Sequence, residues 1–87
     1  MRLNPKFIMR TVANETLLIS IEDISAPKRL LMLNELGANI YSLLQKNLSK
    51  DEILTQLLSD YEVDISVLEK DVDDFLATLI SYGVLMD

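Results

Sequence analysis

The sequence predicts an α+β fold, a three-stranded antiparallel sheet followed by three helices, in a single domain spanning residues 1–87. Three observations carry this. Apolar residues recur at every second position up to residue 33 and at every third or fourth position beyond it, the two periods of strand and helix. The helix-start signals all fall from Asn34 onward. Eighty-seven residues leave room for one core only, and two glycines and two prolines leave little material for linkers.

The elements follow in order. Residues 7–12 and 15–22 are short and rich in Ile, Leu, Val and Thr, and Ala13-Asn14 between them reads as a tight hairpin turn, because Asn tolerates positive φ. In the second strand Leu17, Ile19 and Ile21 share one face, and Leu18, Ser20 and Glu22 share the other. Residues 23–27 break the pattern with Ser, Ala and Pro, and residues 28–33 form the third strand. Asn34 is a good N-cap for a first helix ending near Gln45, with Leu36, Ile40, Leu43 and Leu44 on one face. Ser49 and Glu52 make a capping box for a second helix that turns Ile53, Leu54, Leu57, Leu58 and Tyr61 inward. Ser66 and Glu69 have the same spacing and predict the start of a third helix that runs to about Tyr82, where Gly83 suits a left-handed cap. Residues 84–86 then fold back on the core.

Composition excludes several function classes. The chain has no cysteine and no histidine, which removes disulfides, thiolate nucleophiles, cysteine-ligated zinc and the commonest general base. Seven serines remain, with no imidazole to activate them. Asp71 and Asp74 are neighbours on a helix surface while Asp73 points elsewhere, and with the helix starting at Ser66 these acids belong to a solvated, dipole-matched face. No calcium-type loop accompanies them. The expectation is therefore no enzyme, no metal and no cofactor. The longest apolar run is four residues, 30–33, and residues 1–5 lack the order of a signal peptide, so no membrane and a cytoplasmic location are expected.

Charge divides the chain unevenly: residues 1–34 carry net +2 and residues 35–87 carry net −8, giving −6 overall. Helix, turn and helix beside a small sheet suggest a winged helix, whose recognition helix would meet DNA. Here that helix carries Glu69, Asp71, Asp73 and Asp74 against Lys70. Phosphate contacts need Lys or Arg, so no nucleic-acid partner is expected. A peptide at a sheet edge is the remaining possibility. The third strand is basic at Lys28 and Arg29 and apolar at Leu30, Leu31 and Met32, and an extended peptide can add to such an edge through backbone hydrogen bonds. The apolar stripe of the third helix, from Tyr82 and Phe75 through Leu68, Leu79, Val72 and Leu76 to Ile80, is wider than a core-facing helix requires. Leu76 and Ile80 either face a groove or close the core.

From Leu33-Asn34-Glu35-Leu36-Gly37-Ala38-Asn39-Ile40-Tyr41, and again from Asp71-Val72, Phe75-Leu76, Leu79 and Gly83-Val84-Leu85, the sequence resembles the PqqD-like proteins, the recognition elements of ribosomally made, post-translationally modified peptides. The likeness spans nearly the whole chain, from Leu3-Asn4-Pro5 to Leu85. It implies a winged-helix-like fold without catalytic activity. It also implies that the leader segment of a precursor peptide binds as an added strand between the third strand and the third helix. The peptide is then presented to a modifying enzyme, such as a radical S-adenosylmethionine maturase or another peptide-tailoring enzyme. Carried onto this chain, the site falls at Lys28, Arg29, Leu30, Leu31, Met32, Asp73, Leu76 and Ile80. Leu36 in place of a common Thr, and Lys46-Asn47 in place of a frequent Asp-Gly, depart from the family pattern at the ends of the first helix. The alternative from another class is a small winged-helix-type structural or regulatory domain that binds a protein rather than a peptide strand.

Overall fold

The computed structural model describes residues 1–21 and 30–86. Within them the chain runs β1 (Arg2–Leu3), β2 (Phe7–Val12), β3 (Glu15–Ser20), β4 (Leu30–Leu33), α1 (Glu35–Gln45), α2 (Lys50–Asp60), α3 (Ile65–Ser81) and β5 (Leu85–Met86). The expected sheet is present as β2-β3-β4, antiparallel throughout. Leu17 stands opposite Arg10 on one side and Met32 on the other, and Leu18 opposite Met9 and Leu31. Strand alternation then sorts the sheet into two faces. Phe7, Met9, Leu18, Ser20, Leu31 and Leu33 face the helices; Ile8, Arg10, Val12, Glu15, Leu17, Ile19, Leu30 and Met32 face away. At the hairpin both Ala13 and Asn14 take positive φ, 52° and 68°, the mirror-image turn whose twist suits two paired strands.

Two features exceed the sequence expectation. The first is a second sheet in which Arg2 pairs with Met86 and Leu3 with Leu85. Asn4 completes it, its backbone N–H donating to the Val84 carbonyl at 2.7 Å and its side chain to the Gly83 carbonyl at 3.0 Å. The second is a correction to α3. Its N-cap is Asp64 rather than Ser66, and the helix starts at Ile65. The Asp64 carboxylate accepts from both the backbone N–H and the hydroxyl of Ser66, each at 3.2 Å. Asp caps as well as Ser, and here it uses the serine as a donor. The earlier start leaves the first turn of α3 without an acid, so Asp71, Asp73 and Asp74 lie past the reach of the helix dipole; Lys50 partners Asp73 and Lys70 partners Asp74.

The other caps are as expected. Asn34 Oδ1 accepts from the Gly37 N–H at 2.7 Å, and Ser49 and Glu52 form the reciprocal capping box. The Ser49 backbone N–H donates to Glu52 at 2.9 Å and holds that carboxyl below the usual glutamate range. Gly83 has φ 78°, a backbone shape that L side chains rarely adopt.

The core lies where the inner sheet face meets the three helices, and Leu18, Ile40, Ile53, Leu57, Val72, Leu79 and Val84 are fully buried in it. Each such side chain contributes about 1.5–3 kcal/mol. No helix among the described residues is long and apolar enough to cross a membrane.

Candidate functional site

In the order β2-β3-β4, β4 has a sheet neighbour on one side only. Its other edge is open among the described residues, leaving backbone donors and acceptors for a further strand. Leu33 and Leu31 point into the core side, the first buried and the second partly buried, while Leu30 and Met32 are exposed. Of the expected edge residues, Leu30, Leu31 and Met32 therefore lie on this strand. Lys28 and Arg29 lie outside the described residues.

The strand ends between two clefts. One, of about 390 Å³, is lined by Asn14, Glu15 and Thr16 of the hairpin, Met32 and Leu33 of β4, and Glu35, Ala38 and Asn39 of α1. The other, of about 250 Å³, lies between the start of α1 (Asn34, Leu36, Gly37, Ile40) and the Asp71, Asp74 and Phe75 flank of α3. Gly37 makes the second approach possible. A Cβ there would meet the Phe75 ring at 3.0 Å, so the bare backbone lets the ring lie close against α1.

The two flanks of α3 do different work. At 100° per residue, Glu69, Asp73 and Ile80 share one flank, and Asp71, Phe75, Thr78 and Tyr82 share the other. On the first, Lys50 Nζ of α2 stands 2.7 Å from Asp73 and 3.6 Å from Glu69. The hydrogen bond to Asp73 and the charges of both acids push the Lys50 ammonium above the ordinary lysine range. On the second, Asp74 receives Lys70 at 2.8 Å one helical turn away, which raises Lys70 likewise. Asp71 and Asp74 are neighbours while Asp73 points elsewhere, as the helix geometry predicts.

The remaining site residues fall as follows. Leu76 is 8% exposed and part of the core cluster, and Ile80 is 52% exposed. Asp73 is brought to α2, whereas Phe75 and Asp71 border the cleft at the start of α1, whose cap Asn34 follows β4. Sequence reasoning placed Phe75 on the apolar stripe but missed its role as the ring that joins α3 to α1; the signal was Gly37, a residue without a side chain in a helix. Among the described residues no cluster of Asp and Glu is arranged to hold a metal ion.

Fold and edge together define a small α+β module of the winged-helix type whose apolar strand β4 is paired on one side only. The family model described as Coenzyme PQQ synthesis protein D (PqqD) matches residues 15–85, and the chain belongs to that family. No curated protein matches it. Two solved structures share its fold. TbiB1 in complex with the TbiA(beta) leader peptide is 23% identical with a TM-score of 0.82, over 100% of both chains. Lasso peptide synthetase B1 complexed with the leader peptide is 23% identical with a TM-score of 0.82, over 99% of this chain and 96% of that one.

Proposed function

We propose that this protein is a non-catalytic recognition module that captures the leader segment of a ribosomally made precursor peptide and presents it to a modifying enzyme. The observation that carries the reading is the open edge of β4, apolar at Leu30 and Met32 and running into the clefts beside Asn34. A peptide laid along this edge satisfies the strand's outward backbone groups and gains affinity without a deep pocket. The fold shared with two chains whose structures contain leader peptides supports the same reading.

In this reading the strand side of the groove is β4, continued by Lys28 and Arg29, and the helix side is a flank of α3. The Asp71, Phe75, Thr78 and Tyr82 flank is favoured. Asp73 is engaged with Lys50 on the side of α2 and Leu76 lies in the core, whereas Phe75 and Asp71 line the cleft at the end of the strand. Apolar contacts then set affinity, and the acids of the rim steer a basic residue of the leader.

The test is a titration of isotope-labelled protein with the leader of the precursor encoded beside it, followed by NMR. Amide shifts confined to β4 and one flank of α3 are expected, with a scrambled peptide inert. Unchanged β4 amides would sink the proposal.

A further inference from the structure

The face of the sheet turned away from the helices is a second surface, which meets the β4 edge at Leu30 and Met32. By register it carries Ile8, Val12, Leu17, Ile19, Leu30 and Met32, with Ile21 just beyond β3. Met9 and Leu31, on the other face, pack against the core; Ile8, Leu17 and Ile19 do not. Val12, Leu30 and Met32 are 58%, 57% and 62% exposed, Met32 at the rim of the cleft shared with α1. An apolar field of this extent on a small protein marks an interaction site. Two charged side chains break it: Arg10 opposite Leu17, and Glu15 opposite Val12. Arg10 has no ion-pair partner among the described residues.

We propose that this face is the interface of a homodimer, two copies stacked sheet against sheet about a two-fold axis. Two-fold pairing demands a self-complementary patch. A face with one cation and one anion flanking an apolar centre meets that demand, because Arg10 of each copy reaches Glu15 of the partner subunit, twice, around the cross-strand pair Leu17 and Met32. The patch is neutral. The acids behind the overall charge of −6 lie mostly on α2, α3 and the turn between them, so stacking the sheets does not bring them together. An apolar field holding Met and Arg is also the composition that protein interfaces favour. Stacking uses side chains and leaves the outward backbone groups of β4 free, while it shares Leu30, Met32 and Glu15 with the leader site proposed above.

Sedimentation velocity over a concentration series tests it, with circular dichroism confirming that each variant folds. The mass is expected to rise from 9.9 kDa toward twice that value. Met32→Glu, at an exposed position, abolishes the rise. Arg10→Glu and Glu15→Arg each weaken dimerisation about tenfold, and the double exchange restores it to within a few-fold. A protein that keeps the mass of one chain throughout, a dimer indifferent to Met32→Glu, or a double exchange as weak as the single changes would overturn the proposal.

Discussion

Both flanks of α3 carry carboxylates, and these have opposite fates. On one, Asp73 and Glu69 are tied to Lys50 and hold α2 against α3. On the other, Asp71 and Phe75 border a cleft that opens beside the end of β4. The difference teaches that an acidic helix is not one electrostatic object: neighbours in space decide whether a carboxylate fastens the fold or remains for a partner. Between the flanks runs the buried stripe of Leu68, Val72, Leu76 and Leu79, on which both depend.

Breaking that stripe has the largest expected effect. Leu79→Ala, at a fully buried position, should cost about 2–5 kcal/mol, read from urea unfolding, and abolish leader binding with the fold. Next comes the strand itself. Consecutive residues of an antiparallel strand direct their N–H groups to opposite sides, so Leu31→Pro and Met32→Pro should differ. One breaks the β3-β4 ladder and unfolds; the other keeps its circular dichroism and loses about tenfold or more in leader affinity. If both fold and both bind, no peptide pairs with β4.

The flanks separate at the third step. Phe75→Ala should weaken leader binding about tenfold by calorimetry, since an aromatic wall of the groove is lost, while Ile80→Asp leaves affinity unchanged. The reverse result would move the groove to the Asp73 side. A smaller effect belongs to the cap of α2. Ser49→Ala should cost about 1 kcal/mol. Because Glu52 is held below its ordinary value of 4.5, its contribution is present above that pH and is lost as pH falls through the lowered value. Glu52→Gln should therefore flatten the acid limb of the stability curve. The smallest change is Asp73→Asn, which removes an exposed ion pair: a slight loss of stability that disappears in high salt, with leader affinity untouched. Since the pair raises Lys50, that small contribution holds below the ordinary lysine value of 10.5 and fades as pH climbs past it.

Much of the fold was legible because local rules agreed with it. Asn34, the Ser49–Glu52 box, the Ala13-Asn14 turn and Gly83 each announce themselves within four residues of sequence, and each stands where expected. Ser66 misled because two good caps, Asp64 and Ser66, stand two residues apart, and sequence does not say which becomes the acceptor. The β1-β5 pair gave no signal, since two-residue strands are too short to show a period. At the site the edge strand was legible from its composition. Lys50 as the partner of Asp73, and Gly37 as the seat of Phe75, were not, because both are contacts between residues far apart in the chain.

The hydrogen bonds of Asn4 to Gly83 and Val84, and the pairing of Arg2 with Met86, set residues near the two ends one strand spacing apart. The side-chain bond spans 79 positions of sequence, and closing so long a loop is the slowest-rewarded contact in the molecule. Residues 2 and 86 are thereby strand partners, although the covalent chain between them runs through every other element. A disulfide placed across that pair, Arg2→Cys with Met86→Cys, would clip this loop shut and, in the chain-entropy model, stabilise the fold by about 4 kcal/mol under oxidising conditions only.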